Sequence, residues 1–127
     1  MTTGYLANSF DLINVRDLDL IGQAAELCSH VIVGVFSDDF AEEVYGRRPV
    51  VPLMERLSLV QHVRGVDEVV VHESEASVPA VPHVYLAVSG DLSFGQPASA
   101  HLLIPRRESA SVVLREALEP IRQDEVA

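Results

Sequence analysis

The sequence predicts a Rossmann-like α/β fold, in which helices cover both faces of a parallel five-stranded sheet. Short apolar runs rich in Val, Ile and Leu have the length of buried strands, and amphipathic segments lie between these runs. Polar turn residues separate the strand-like runs from the amphipathic segments. Strands that alternate with helices imply right-handed crossovers and a parallel sheet. Because 127 residues are enough for one core and too few for two ordinary ones, residues 1–127 are expected to form a single domain.

The first half of the chain carries the clearest elements. A strand is predicted from about Tyr5 to Ser9, and the helix after it has apolar residues at helical spacing between Leu18 and Leu27. The run His30–Phe36 is β-branched and apolar on both faces, which is typical of a strand inside a parallel sheet. Ser37-Asp38-Asp39 is predicted to end this strand, and a loop that contains Gly46 and Pro52 to follow it.

The second half predicts one further helix, three more strands and a final helix. In chain order these are a helix at about Met54–Arg64, a strand at Asp67–His72, a loop at Glu73–Pro82, strands at His83–Ser89 and about His101–Ile104, and a helix that ends near Pro120. Ligands of such sheets bind outside the carboxyl ends of the strands, so the loops after Ser9, Ser37, Ser89 and Ile104 are the expected site. The histidines at strand ends, His72 and His83, are interpreted as surface or capping residues.

Charge and composition narrow the range of partners. The formal net charge of −10 opposes binding to nucleic acid or to anionic lipid. The sequence has no apolar run long enough to cross a bilayer, no secretory signal and a single cysteine, so we expect no membrane partner and a cytoplasmic location. All nine basic residues are arginine. A genome biased towards arginine codons is the simpler explanation, but any phosphate would be bound here by guanidinium groups, which contact its oxygens bidentately.

The strongest motif lies in the middle of the chain. It consists of Val33-Gly34-Val35-Phe36-Ser37-Asp38-Asp39, then Arg47-Arg48-Pro49, then Glu55-Arg56 and Val66-Asp67-Glu68-Val69-Val70. In order and spacing this block resembles the cytidylyltransferases of the glycerol-3-phosphate and ethanolamine-phosphate type, and weaker matches extend the resemblance over residues 4 to about 118. The resemblance implies the Rossmann-like nucleotidyltransferase fold and transfer of CMP from CTP, with Mg²⁺, to a small phosphorylated alcohol. It also implies a homodimer.

The chain departs from the family pattern at the turn after the first strand. The family has G-T/S-F-D-x-x-H-x-G-H, and the matching stretch here contains Asn8-Ser9-Phe10-Asp11 and, at the H-x-G-H positions, Asn14, Arg16 and Asp17. Ser9, Phe10 and Asp11 fit the pattern. The two histidines of the family would face the phosphates at the start of a helix, whose dipole attracts anions. Asn14 cannot carry a charge, and Asp17 would place a carboxylate beside the phosphates.

The resemblance also nominates residues for phosphate binding, and several of them have a simpler alternative. These candidates are Asn8, Ser9, Phe10 and Asp11 at the end of the first strand, Arg47 and Arg48 before the Glu-Arg pair, Arg64 at the end of the second predicted helix, Gly90 and Asp91 after the fourth strand, and Arg106 and Ser111 in the last segment. The loop arginines are otherwise solvated charges, and Arg64 is otherwise a cation at a helix C-terminus. Asp17 is otherwise a favourable first-turn residue, and Asp11 an acceptor that fixes a turn through backbone amides.

Two functions follow from this pattern. We expect a catalytically degenerate cytidylyltransferase-like protein that retains nucleotide or phosphate-ligand binding in a regulatory or partner-binding role, and that needs no cofactor. The alternative is an active enzyme that uses Arg16 and Asn14 in place of the histidines, transfers CMP to a small phosphate or phosphonate, and binds Mg²⁺ with CTP. A protein with no site at all, which serves only in interactions, is the third interpretation.

Overall fold

The computed structural model describes residues 2–79, 84–88 and 101–107. Five strands form one parallel sheet in the spatial order β3-β2-β1-β4-β5. The strands are β1 (Thr3–Asn8), β2 (His30–Phe36), β3 (Glu68–His72), β4 (Val84–Val88) and β5 (His101–Leu103). The predicted parallel five-stranded sheet is confirmed. Its direction of winding reverses between β1 and β4, which makes the carboxyl end of β1 a switch point where ligands of such folds bind.

Helices lie on both faces of the sheet, as predicted. Helices α1 (Val15–Leu27) and α3 (Leu53–Gln61) cover one face, where Ile21 and Val60 are buried in the same apolar cluster as Leu6. Helix α2 (Asp38–Tyr45) covers the other face, where Ala41 is buried in a cluster with aromatic residues of the sheet. Among the described residues, no helix is long and apolar enough to cross a membrane.

Helix α2 was not predicted, because Ser37-Asp38-Asp39 and the residues up to Gly46 were interpreted as a turn and a loop. Its signals are local and short. The Ser37 hydroxyl accepts a hydrogen bond from the Phe40 N–H at 3.1 Å, and Asp38 and Asp39 lie in the first turn, where the helix dipole favours anions. Gly46 ends the helix with a φ of 79°, a left-handed conformation in which glycine has no steric penalty.

The remaining boundaries differ from prediction by a few residues at most. Strand β2 has the predicted bounds, and α3 ends at Gln61 rather than Arg64. The Glu73–Pro82 loop contains a short 3-10 turn at Glu75–Ser77. The predicted final helix near Pro120 lies outside the described residues.

A buried polar pair occupies the sheet face under α2. The Tyr5 hydroxyl lies 2.6 Å from Nδ1 of His72, which is 2% exposed, so the interpretation of His72 as a surface residue is wrong. Burial raises the pKa of Tyr5 and lowers the pKa of His72, because both charged forms would lose their hydration. Gly34 makes room for the pair, since a Cβ at this position would overlap the Tyr5 hydroxyl group.

Candidate active site

The turn between β1 and α1 is held in an unusual backbone conformation. Phe10 and Leu12 have φ values of 52° and 55°, in the left-handed region that side chains other than glycine adopt at a cost. The Phe10 ring is buried in the core and anchors the turn. Asp11 stands between these two residues in the sequence, and its carboxylate accepts hydrogen bonds from the backbone N–H groups of Val50 and Val51, each at 2.9 Å. Asp11 thus joins this turn to the loop before α3.

The two positions that carry histidine in the family pattern form a helix cap. Asn14 is the N-cap of α1, and its side-chain oxygen accepts a hydrogen bond from the Arg16 N–H at 2.9 Å. The Asp17 carboxylate accepts a hydrogen bond from the Asn14 N–H at 3.1 Å, which completes a capping box. Asp17 is 8% exposed. Both side chains therefore satisfy the backbone at the helix N-terminus, in agreement with the simpler interpretation of Asp17 as a first-turn residue.

A buried arginine connects the segments that surround this turn. Arg56 of α3 is 0% exposed and donates hydrogen bonds to the carbonyl oxygens of Ser9, Phe36 and Val51 at 2.7–2.8 Å. Its guanidinium also forms an ion pair with Asp38. The ends of β1 and β2, the start of α2 and the loop before α3 are thus held by one side chain. The Glu55-Arg56 pair in the sequence was the signal for this residue, which was not predicted to be a site residue.

These contacts surround a pocket at the carboxyl end of β1 with a volume of about 230 Å³. Nine of the residues nominated from the sequence line it, together with Ala41, Tyr45 and Pro49; the nine are Asn8, Ser9, Phe10, Asp11, Asn14, Arg16, Asp17, Arg47 and Arg48. The switch point predicted from the fold class is thus the place where the structure brings most of the candidates together. Tyr45, the last residue of α2, was missed because that helix was missed.

The arginines around the pocket differ in their surroundings. Arg48 donates hydrogen bonds to the carboxylates of Asp39 and Glu42, at 2.8 and 2.9 Å, and lies 3.9 Å from Asp38. The hydrogen bonds to Asp39 and Glu42 raise the pKa of Arg48 further. Its charge is largely neutralised by the start of α2. Arg48 lines the pocket with its guanidinium already bonded to carboxylates, and its role in phosphate binding stays a prediction.

Two predicted phosphate ligands lie away from the pocket. Arg64 is exposed and follows α3, which runs from the pocket to the amino ends of the strands. At that end of the sheet, the adjacent Gly65 packs against the C-terminal half of α1. Arg106 lies 3.4 Å from Asp19 and 3.7 Å from Glu26, both on α1. Burial raises the pKa of Asp19, but hydrogen bonds from the Arg106 N–H and from Gln23 outweigh it and leave that pKa below its usual value. Neither arginine lines the pocket, and their role as phosphate ligands stays a prediction.

The other candidates fall outside the part of the chain that the structure describes. They are Gly90, Asp91 and Ser111. Within residues 2–79, 84–88 and 101–107, no group of three or more His, Cys, Asp or Glu side chains is arranged to hold a metal ion.

Comparison with known proteins identifies the family. The model of the family described as cytidylyltransferase-like matches residues 5–117, which is most of the chain. The chain belongs to the cytidylyltransferase-like family. The resemblance drawn from the middle motif is therefore confirmed, and the pocket lies where the reactive turn of that family pattern occurs in this sequence.

Relatives within the cytidylyltransferase-like family have different activities. The chain is 38% identical over 64 residues to an FAD synthase of Thermococcus sibiricus, which is 50% of this chain and 43% of the relative. It is 37% identical over 68 residues to an ethanolamine-phosphate cytidylyltransferase of Arabidopsis thaliana, which is 52% of this chain and 15% of the relative. The chain thus spans less than half the length of either relative.

A solved structure supports the fold. The lipopolysaccharide core biosynthesis protein of Thermoplasma volcanium superimposes with a TM-score of 0.65 at 18% identity, over 72% of this chain and 77% of that chain. At this identity the likeness concerns the fold alone.

Proposed function

We propose that this protein binds a phosphorylated ligand, of nucleotide or sugar-phosphate type, in the pocket at the end of β1 and transfers nucleotide poorly or not at all. The observation that carries the proposal is the capping box between Asn14 and Asp17. In nucleotidyl transfer without a protein nucleophile, the protein positions the phosphates and stabilises the charge that develops on them. Here the two positions at the helix N-terminus hydrogen-bond the backbone instead, and one of them is a carboxylate.

Retained binding is supported by the cations that line the pocket. Arg16 and Arg47 both face a cavity whose acidic residues are already engaged, since Asp11 and Asp17 accept backbone N–H groups. A carboxylate satisfied in this way repels an incoming phosphate less than an unpaired one would. The same hydrogen bonds make Asp11 and Asp17 poor direct ligands for Mg²⁺, so any Mg²⁺ would enter on the phosphates of the ligand and be held by them.

Binding is tested by calorimetric titration with CTP, ATP, pyrophosphate and glycerol 3-phosphate, each with and without Mg²⁺. Arg47→Gln and Arg64→Gln are a matched pair, because the same change is made inside and outside the pocket. We expect Arg47→Gln to weaken the ligand that binds best about tenfold, the effect of losing one charge-assisted hydrogen bond, and Arg64→Gln to leave its affinity unchanged. Equal effects of the two variants, or no heat with any ligand, would contradict the proposal.

Catalysis is tested separately by pyrophosphate release from CTP or ATP with a panel of phosphorylated alcohols. We expect no release above background from the wild-type chain. The triple variant Asn14→His, Arg16→Gly, Asp17→His restores the family pattern and is expected to gain activity if the rest of the pocket is intact. A gain would show that the reactive turn alone limits the rate.

The second candidate function is an active nucleotidyltransferase, and one observation favours it: Arg16 lies at the pocket, so a cation remains next to the place of the missing histidines. Substrate-dependent pyrophosphate release by the wild-type chain that is lost in Arg16→Gln would establish this function and overturn the first.

A further inference from the structure

Helix α2 and the loop after it form an exposed cluster of charges beside the pocket. Arg48 donates one hydrogen bond to Asp39 at 2.8 Å and another to Glu42 at 2.9 Å, and both bonds come from its Nη1 atom. Asp39 and Glu42 are three residues apart on a helix, which places their side chains on the same face. The chain turns at Gly46, the left-handed residue that ends α2, and this turn brings Arg48 back beside the helix. Two carboxylates therefore hold one guanidinium in place.

Arg48 is the member of this cluster that lines the pocket. The described residues of the pocket wall include Arg48 but neither Asp39 nor Glu42. A third carboxylate, that of Asp38, lies 3.9 Å from Arg48 and is itself paired with the buried Arg56. Asp39 and Glu42 are thus the carboxylates that bind Arg48 directly. A phosphate in the pocket and these two carboxylates compete for the same guanidinium.

The contacts that hold Arg48 are weak enough for a ligand to displace them. The exposed fraction of the side chain is 53% for Arg48, 91% for Asp39 and 50% for Glu42. Ion pairs exposed to this extent contribute little to stability, because water solvates the separated charges almost as well. A guanidinium binds a phosphate through two parallel hydrogen bonds, so a phosphorylated ligand can replace the carboxylates without disturbing the core.

We propose that Asp39 and Glu42 set the affinity of the pocket for phosphorylated ligands by holding Arg48, so that a ligand displaces them in order to bind. This inference rests on the proposed binding function and describes how binding at that site is regulated. Without the two carboxylates, Arg48 has lost its competing partners, and their negative charges no longer oppose the phosphate. Asp39 and Glu42 are positioning residues, since they act through Arg48 rather than by touching the ligand.

The experiment is a double-mutant cycle in which calorimetric titration measures the affinities for pyrophosphate and glycerol 3-phosphate. One arm compares the wild-type chain with the double variant Asp39→Asn, Glu42→Gln, and the other makes the same comparison in an Arg48→Gln background. We expect the double variant to bind both ligands about tenfold more tightly than wild type, the effect of one charge-assisted hydrogen bond that becomes available. In the Arg48→Gln background we expect a gain of less than about twofold, because a screened long-range charge effect is all that remains.

A matched control removes two negative charges that do not bind Arg48. The double variant Glu43→Gln, Glu55→Gln changes two exposed residues of α2 and α3 that, in the part of the chain the structure describes, lie outside the ion pairs of Arg48. It changes the net charge by the same amount, and we expect it to alter affinity less than about twofold at physiological salt. Circular dichroism melts show whether each variant is folded.

The outcomes separate this inference from the proposed function. If a ligand binds the wild-type chain, but the gain in Asp39→Asn, Glu42→Gln is no larger than in the control or persists in full with Arg48→Gln, the regulation is wrong and the binding function stands. If no ligand binds the wild-type chain and one binds the double variant only while Arg48 is present, the regulation is right and the proposed function of the wild-type chain fails. If no ligand binds any of these proteins, both fail.

Discussion

Replacing Arg56 by alanine should destabilise the protein more than any change to the arginines on its surface. The side chain is 0% exposed and donates to three backbone carbonyl oxygens and to the carboxylate of Asp38. Removing it leaves these acceptors without their donor and leaves Asp38 without its buried partner. Because four segments converge on this one guanidinium, the loss would loosen the pocket and the core beneath it together.

The size of the effect follows from these contacts. Breaking a buried ion pair by removing one partner costs about 3–5 kcal/mol, and each buried acceptor left unsatisfied costs about 1–3 kcal/mol. Water that enters the space left by the side chain will satisfy part of this set, so we expect a loss of about 4 kcal/mol in the free energy of unfolding. A domain of this size has a total of about 5–15 kcal/mol.

The assay is urea unfolding followed by circular dichroism, with Arg48→Ala as the matched control. Arg48 contacts carboxylates of the same helix but is exposed, and exposed ion pairs contribute little. Arg56→Lys serves as a second variant that keeps the charge but lacks the planar fork, and it should retain part of the stability. A midpoint shift for Arg56→Ala no larger than that for Arg48→Ala would refute the reasoning.

Three further predictions concern the core. Gly34→Ala should destabilise the protein by about 1–3 kcal/mol in urea unfolding, as overpacking does, because its Cβ would overlap the Tyr5 hydroxyl group. Gly22→Ala, whose Cβ would have nothing within 4 Å, should be neutral or stabilising. The opposite ranking of the two variants would contradict the packing described. The contribution of neutral His72 to the free energy of unfolding should be fully present above the ordinary histidine pKa of 6.5. It should be lost as the pH falls from there through the lower pKa of His72 in the folded state, because burial lowers that pKa and the unfolded chain then binds the proton more readily. His72→Gln should flatten that pH dependence of the urea midpoint, and an unchanged slope would count against it. The Cys28 thiol is buried, which raises its pKa, so a thiol reagent should react with it only on unfolding; rapid labelling of the native protein would disagree.

Sequence alone was sufficient for the fold class and for the family. Runs such as His30–Phe36 are apolar on both faces, as is typical of strands buried inside a parallel sheet. The sequence pattern therefore predicts such a strand without any knowledge of its tertiary contacts. The middle motif from Val33 to Val70 led to the family that the comparison confirmed. The turn after β1 was predicted as part of the site from the fold class, because ligands of parallel sheets bind at the carboxyl ends of the strands whatever residues the loops contain.

The tertiary structure decided which of the nominated residues share a site. Arg47 and Arg64 are both arginines next to a helix. They lie apart because α3 runs from the carboxyl ends of the strands, where the pocket lies, to the amino ends of the strands. The direction of a helix over a sheet is a property of the assembled fold. Local spacing does not contain it.

Burial and pairing were likewise beyond the sequence. Arg56 bonds to segments up to 47 positions away, and the Asp11 carboxylate binds amides 39 and 40 positions away. These partners become neighbours only when the sheet forms. Local chemistry therefore determined which elements exist, whereas long-range packing determined which polar groups are satisfied by the protein itself.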